Sequence, residues 1–177
     1  MTDSELIRAL RVVPDYPQKG IMFFDVTTLF KSPEALHEVV GRICDLYRDK
    51  GITKVAGIES RGLIAGAAVA AALGAGFVPI RKQGKLPAET VSEVYDKEYG
   101  TDIMEMHRDS ITPDDVVLVH DDILATGGTA AAAVRLVSQF HPKAVYANFI
   151  IDITDVPCTA PIPGGTPVTA LLHLAEK

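Results

Sequence analysis

Residues 116–129 read VVLVHDDILATGGT, and this stretch decides the fold. It begins with four apolar and mostly β-branched residues, a run that predicts a buried strand rather than a helix. Two carboxylates follow, Asp121 and Asp122, and a Thr-Gly-Gly-Thr loop then leads into residues 130–140, which are rich in helix formers. Strand, loop and helix in this order are typical of an open α/β sheet, in which ligands bind at the carboxyl ends of the strands.

The polar residues of this stretch suit a phosphorylated sugar. A helix N-terminus offers backbone N–H donors to an anion, so the loop amides and the threonine hydroxyls would hold a phosphate. The carboxylates of Asp121 and Asp122 would accept hydrogen bonds from ribose hydroxyls. The loop is not a Walker A loop, because it lacks the Gly-Lys-Ser/Thr ending that reaches nucleotide phosphates and magnesium.

Length and charge restrict the class of protein. The chain has 177 residues, 47% of them hydrophobic, which is enough for a single domain over residues 1–177 with a full core. Its net charge of −6 argues against nucleic acid or an anionic membrane as the main partner, since both favour a basic face. Residues 1–5 are acidic and do not resemble a signal peptide. Cys44 and Cys158 are expected to be free, buried side chains in a reduced, cytoplasmic compartment.

The rest of the chain alternates between helix and strand patterns. Thr2 and Glu5 have the spacing of a capping box, and Ser32-Pro33 has the form of a helix start. Strands are predicted over residues 54–58, 76–80, 143–151 and 168–174, with a helix over 63–73. This alternation predicts an α/β fold with a central, mainly parallel sheet flanked by helices.

Two segments do not fit the alternation. Residues 20–27, GIMFFDVT, form either a hydrophobic strand that covers the core or an apolar slot for a flat ring, with backbone groups as the polar contacts. Residues 88–100 are polar and without a sustained period, and a loop longer than about 12 residues in a compact domain is usually functional or disordered. We expect a mobile lid there, with two short strands at its base, and a returning strand over 101–107.

Positive charge follows two of the predicted strands. Ser60 and Arg61 come after the strand at 54–58 and would offer backbone amides and a guanidinium to a pyrophosphate. Arg81, Lys82 and Lys85 form the densest basic cluster of this acidic chain. Each group alone is readily explained as solvated surface charge. Beside a phosphate site, however, such a cluster would offset the charge of a pyrophosphate and concentrate it locally.

These segments together resemble the type I phosphoribosyltransferase family, in the order found in its members that act on adenine. The most specific matches are residues 116–129, the RKQGKLP segment at 81–87 and Glu98-Tyr99-Gly100, and the similarity runs from residue 13 to residue 129. The resemblance implies the type I phosphoribosyltransferase fold, with a small hood over about residues 12–30 plus C-terminal residues. It also implies a flexible lid loop over about residues 84–100.

The resemblance also implies a reaction and a set of site residues. The reaction transfers the 5-phosphoribosyl group of phosphoribosyl pyrophosphate to adenine, giving AMP and pyrophosphate in purine salvage, in a cytoplasmic homodimer. Glu98 would be the general acid/base at the purine, and magnesium would be held through pyrophosphate, ribose and water rather than by direct protein ligands. The implied contacts are Asp121, Asp122, Ala125, Thr126, Gly127, Gly128 and Thr129 for ribose and phosphate, Ser60, Arg61, Arg81, Lys82 and Lys85 for pyrophosphate, and Met22, Phe23 and Phe24 for the base.

The sequence departs from the family pattern at two positions. Phe24 stands where many relatives have arginine, so stacking by Phe23 or Phe24 and backbone recognition at Met22 are expected instead of a polar side-chain contact. His120 stands where valine is common and is expected to be a structural side chain. Two other functions stay open, namely the same chemistry on xanthine or guanine, and a non-catalytic regulator that senses phosphoribosyl pyrophosphate. The acidic charge and the Glu98-Tyr99 pair argue against the regulator.

Overall fold

The structure is a computed structural model that describes residues 1–96 and 100–176. Nine strands and five helices are found in these two ranges. In chain order they are α1 (Asp3–Ala9), β1 (Arg11–Pro14), β2 (Met22–Asp25), α2 (Thr27–Phe30), α3 (Pro33–Tyr47), β3 (Lys54–Ile58), α4 (Arg61–Leu73), β4 (Gly76–Lys82), β5 (Thr90–Asp96), β6 (Thr101–His107), β7 (Val116–Leu124), α5 (Gly128–Ser138), β8 (Ala144–Ile153) and β9 (Val168–Leu174).

The main sheet has seven strands in the order β5-β6-β4-β3-β7-β8-β9. Strands β4, β3, β7, β8 and β9 run parallel to one another, whereas β6 is antiparallel to both β4 and β5. Helices α3 and α4 pack on one face with Leu118 and Ile150, and α5 packs on the other face with Val117 and Val119. The predicted α/β fold with a mainly parallel sheet flanked by helices is confirmed.

Local capping signals located two helix starts correctly. The Thr2 side chain accepts a hydrogen bond from the Glu5 backbone N–H, and the Thr2 N–H donates to the Glu5 carboxylate at 2.6 Å. Ser32 caps α3, and Pro33 is its first residue. Both helices therefore begin where the sequence pattern placed them.

Two boundaries of the opening stretch were predicted wrongly. Strand β7 continues to Leu124, because its pairing with β8 extends as far as Leu124 opposite Asp152. Asp121 and Asp122 therefore lie within the strand rather than after it. Helix α5 begins at Gly128, two residues before the apolar helix pattern starts.

The predicted returning strand over 101–107 is observed as β6, but in the segment predicted as a lid with short strands at its base, residues 90–96 form one strand. Strand β5 pairs over its whole length with β6, from Thr90 opposite His107 to Asp96 opposite Thr101. It lies at the edge of the sheet, where most of its side chains stay at least partly exposed, so it has no need of an apolar pattern. Lys97, Glu98 and Tyr99 lie outside the described residues.

Strands β1 and β2 form a separate two-stranded antiparallel sheet, with Val12 opposite Phe24 and Val13 opposite Phe23. This small sheet lies within the segment that we predicted to be a hood. Cys44 is buried as expected, but Cys158 is exposed, because it lies in the loop between β8 and β9. No described helix is long and apolar enough to cross a membrane.

Candidate functional site

The loop before α5 lines a small cavity at the carboxyl end of β7. Gly127 is the N-cap of the helix and has a φ of 88°, and a Cβ there would lie 2.4 Å from the Ala160 carbonyl oxygen. Only glycine fits both conditions. The first N–H groups of a helix lack partners within it, and those of α5 lie at a cavity of about 170 Å³ lined by Arg61 and residues 121–130. This cavity has the size and the donors for a phosphate.

The acid pair lines the same cavity. The Asp122 side chain is buried and forms an ion pair with the Nε of Arg61. Asp121 is partly buried, and its Oδ1 accepts a hydrogen bond of 2.9 Å from the Asp122 N–H. Burial, together with the neighbouring Asp122 carboxylate, raises the pKa of Asp121 well above its ordinary value. Hydroxyl donors or a cation brought by a ligand would relieve this crowding of negative charge.

Arg61 reaches this cavity because α4 packs very closely against β7. A Cβ at Gly62 would lie 2.8 Å from the His120 carbonyl oxygen, so glycine is required for the approach. The Glu59–Ser60 peptide bond before the helix is cis. The Arg61 guanidinium also lies 5.6 Å from the centre of the Phe23 ring. Arg61 therefore joins the acid pair to the small sheet of β1 and β2.

A second cavity joins the first and carries the basic residues at the end of β4. It has a volume of about 210 Å³, and Asp121 and Thr129 line both cavities. Arg81 and Lys82 line the second cavity, as does Tyr95 of β5. Lys85, by contrast, lies on the exposed turn after β4. The structure thus brings two of the three predicted basic residues to the acid pair.

Glu59 organises this basic end, a role that the sequence did not reveal. Its carboxylate accepts hydrogen bonds of 2.7 Å from the Nε of Arg81 and 2.7 Å from the backbone N–H of Lys82. Partial burial opposes ionisation, but these donors dominate and lower the pKa of Glu59. This role could have been predicted from the position of Glu59 at the end of a strand, directly before Ser60 and Arg61. An acidic residue there lies next to basic residues at the end of a neighbouring strand.

The two adjacent phenylalanines of β2 point to opposite sides of the strand. Phe23 lines a cavity of about 440 Å³ together with Ser60 and Arg61, and its ring meets that of Tyr16 edge-on at 5.2 Å. Phe24 is buried in the core instead. Of the two rings, Phe23 is therefore the one placed beside the cavity. Met22, the first residue of β2, is partly buried.

The loop after β8 holds the loop before α5 in place. The backbone N–H groups of Thr159 and Ala160 both donate to the Thr126 carbonyl oxygen, at 3.0 and 3.2 Å. The sequence gave no signal for this contact, because residues 155–167 show only the proline, glycine and threonine content of a generic loop. These two hydrogen bonds fix the orientation of the Thr126–Gly127 peptide group, which directly precedes α5.

Two further predicted residues have different outcomes. Glu98 lies outside the described residues, so the structure does not place it. His120 is fully buried, and its Nδ1 forms a hydrogen bond of 3.1 Å with the Asn148 side chain. Burial lowers the pKa of His120 to about 4, so the ring is neutral at physiological pH. This environment agrees with the structural role expected for it.

The chain is similar to known enzymes over nearly its whole length. A family model described as phosphoribosyl transferase domain matches residues 25–155. An adenine phosphoribosyltransferase of Phocaeicola vulgatus is 54% identical over 174 residues, covering 98% of this chain and all of the relative. A crystal structure of adenine phosphoribosyltransferase from Rhodothermus marinus aligns with a TM-score of 0.90 at 46% identity, covering 97% of this chain and 98% of that one.

A second solved structure was determined with a ligand. The crystal structure of APRTase from Giardia lamblia, complexed with 9-deazaadenine, aligns with a TM-score of 0.91 at 37% identity and covers 98% of both chains. The family model covers well over half of this chain, and the relatives share its full length. The chain therefore belongs to the phosphoribosyltransferase family.

Proposed function

We propose that this protein transfers the 5-phosphoribosyl group from phosphoribosyl pyrophosphate to adenine, giving AMP and pyrophosphate in purine salvage. The observation that carries the proposal is the meeting of three groups around Asp121 and Thr129. These are the loop at the start of α5, the acid pair with Arg61, and the basic end of β4. The relatives named for adenine and the Giardia lamblia complex with 9-deazaadenine support the choice of base.

Each of these groups matches one part of the donor substrate. The first amides of α5 and the hydroxyls of Thr126 and Thr129 would bind the 5-phosphate, a remote contact whose binding energy fixes the orientation of the ribose. Asp121 and Asp122 would accept hydrogen bonds from the ribose hydroxyls. Arg81 and Lys82, which line the adjoining cavity, would bind the pyrophosphate.

The same residues suit the charge that develops in the reaction. The bond between the anomeric carbon and the pyrophosphate oxygen breaks, and its electron pair leaves with the pyrophosphate. The sugar ring becomes positively charged close to Asp121 and Asp122, and cationic side chains stabilise the departing group. N9 of adenine then bonds to the anomeric carbon and gives up its proton. The family resemblance assigns acid/base catalysis at the purine to Glu98, and Ser60 and Lys85 remain predicted pyrophosphate contacts.

The described residues fit a magnesium ion that arrives with the substrate. They contain no group of three or more His, Cys, Asp or Glu side chains that could hold a metal by themselves. Mg²⁺ in phosphate sites usually keeps several waters and binds one or two carboxylates together with the substrate oxygens. Asp121 and Asp122 are carboxylates of that kind beside the proposed phosphate cavity. When bound, the ion would neutralise charge on the leaving pyrophosphate.

Base recognition is assigned to the small sheet of β1 and β2. Phe23 lines a cavity with Ser60 and Arg61, where a purine ring would stack on its face, and the backbone at Met22 would supply polar contacts. Phe24 would support this strand from within the core. The homodimer and the cytoplasmic location remain predictions based on the family resemblance.

Nucleotide formation by the purified protein tests the proposal. The protein is mixed with phosphoribosyl pyrophosphate, magnesium and one base at a time, namely adenine, guanine, hypoxanthine or xanthine, and the product is followed by absorbance and chromatography. We expect AMP with adenine and far slower turnover with the other bases. Turnover with another base but not with adenine would reassign the substrate. Binding of phosphoribosyl pyrophosphate with no turnover of any base would indicate a sensor.

A further inference from the structure

Strand β5 carries a carboxylate on the side that packs against α5. Alternate residues of a strand share one side, so Val91, Glu93 and Tyr95 point the same way. Val91 and Tyr95 pack in the apolar cluster that contains much of α5. Glu93 thus lies between two apolar side chains, and only 20% of its own side chain is exposed. A carboxylate in such a position needs polar partners.

Helix α5 supplies those partners from two successive turns. The Nε of Arg135 donates to one oxygen of Glu93 at 2.7 Å, and the Nε2 of Gln139 donates to the other at 3.0 Å. Gln139 also donates to the Ser92 carbonyl oxygen at 3.1 Å. Arg135 and Gln139 are four residues apart and therefore lie on the same side of the helix. We call Glu93, Arg135 and Gln139 the β5 clamp.

Within the described residues, the β5 clamp is one of three attachments of β5, the others being its pairing with β6 along its whole length and the packing of Val91 and Tyr95 against α5. Strand β5 is the outermost strand, with β6 as its neighbour in the sheet. Of the residues of β5, Tyr95 is buried and the others are partly or fully exposed, with Val94 55% exposed. Val91 and Tyr95 supply the apolar contacts of β5 with α5, and the clamp adds charged and polar contacts on the same face.

The end of β5 in turn lies on the loop before α5. The Asp96 carbonyl oxygen would be 3.5 Å from a Cβ at Gly128, the first residue of α5. Tyr95 lines the basic cavity together with Asp121 and Thr129. Arg135 follows Gly128 by two helical turns, about 10 Å along the axis. The clamp residues line neither of the two cavities around Asp121, although Arg135 lines a neighbouring cavity of about 700 Å³ together with Thr126 and Gly128.

We infer that Glu93 is a positioning residue for phosphoribosyl pyrophosphate. Held by Arg135 and Gln139, it places Tyr95 and the end of β5 against the loop that binds the 5-phosphate. Binding of the donor substrate therefore depends on the clamp, whereas the adenine cavity at Phe23, on the other side of Arg61, does not. The inference rests on the proposed function only in taking phosphoribosyl pyrophosphate as the ligand.

The test is the affinity for phosphoribosyl pyrophosphate in the presence of magnesium, measured by calorimetry for the wild type and for Glu93→Gln. We expect the dissociation constant and the KM for phosphoribosyl pyrophosphate to rise about fivefold, as suits loss of a partly exposed charged hydrogen bond. The KM for adenine should not change. Arg135→Gln should have a similar effect, and the double variant should be no worse than either single variant, because both remove one interaction.

Glu89→Gln is the matched control. Glu89 precedes β5, its side chain is 87% exposed, and it pairs at 3.5 Å with Arg108 just after β6. The change removes the same charge from the same hairpin and should leave both constants unaltered. Equal affinities in the wild type and in Glu93→Gln, or an equal loss in Glu89→Gln, would overturn the inference. A failure of the proposed function appears separately, as wild-type protein that binds phosphoribosyl pyrophosphate without turning over adenine.

Discussion

The centre and the edge of the main sheet support the same site by different means. At the centre, β3, β7 and β8 are parallel strands covered on both faces, and Val55, Leu118, Val119 and Ile150 are fully buried. At the edge, β5 and β6 form an antiparallel hairpin in which Met104 and Met106 are buried, and β5 adds polar contacts to α5 such as Glu93 with Arg135. The acid pair and the loop before α5 are therefore built on the core of the sheet, whereas β5 is attached to the core from the edge.

The largest expected effect comes from the acid pair at the centre. Changing both Asp121 and Asp122 to asparagine should lower kcat/KM by at least about 10³-fold, because the charge that stabilises the cationic sugar is lost. Steady-state kinetics would measure this, with circular dichroism to show that the fold persists. Lys82→Gln at the end of β4, towards the edge hairpin, should lower kcat/KM much less, since this side chain is 57% exposed. Equal losses of kcat/KM in the two variants would contradict a greater role in activity for the centre of the sheet.

Substitutions at the centre of the sheet should also lower the free energy of unfolding more than substitutions at its edge. Leu118→Ala in β7 should lower the free energy of unfolding by about 2–5 kcal/mol, because it leaves a cavity in a fully buried region. Val94→Ala in β5 should change it by no more than about 0.5 kcal/mol, since that side chain is 55% exposed. Urea denaturation of the two variants measures both values. A similar cost at the two positions would show that the edge is as tightly packed as the centre.

The central sheet should also be sensitive to acid through His120. Its pKa is lowered from 6.5 to about 4 in the folded protein, so the folded state binds fewer protons than the unfolded chain in this range. The neutral His120 therefore contributes fully to the free energy of unfolding above about pH 6.5. This contribution falls by roughly 3 kcal/mol as the pH drops towards 4. His120→Val should flatten this dependence in unfolding experiments between pH 4 and 7. A pH dependence as steep in His120→Val as in the wild type would contradict this role of His120.

A smaller effect on stability is expected from replacing Asp121 alone. Its pKa is raised by burial and by Asp122, so the folded state retains the proton better than the unfolded chain does. That contribution to stability is present below the unfolded pKa and is lost as the pH rises through the folded pKa. Asp121→Asn should therefore raise the Tm of the ligand-free protein at pH 8 while abolishing most activity. The gain should vanish near pH 3.5, and a lower Tm at pH 8 would contradict the charge crowding described for this site.

The elements at the centre were predictable because they obey local rules. The apolar runs at 54–58 and 116–119 need burial on both faces, and the capping residues Thr2 and Ser32 act on their own helices. At 90–96 only a short strand was expected, because the full length of this strand is decided by its partners β6 and α5 and its own sequence is polar. The same reason explains why β7 was predicted to end too early, at the first charged residues.

The sequence alone determined which chemical groups are present and roughly where each would lie along the fold. The acid pair, the glycine loop, Arg61 and the basic residues 81–85 lie at or just after the carboxyl ends of apolar runs, and parallel strands place such residues along one edge. Tertiary structure alone decided how these groups are held. Glu59 orients Arg81, the loop at Thr159 and Ala160 fixes Thr126, and the β5 clamp joins β5 to α5. Those contacts join residues 22 to 46 positions apart, and no local pattern encodes a pairing whose partners meet only when the sheet has formed.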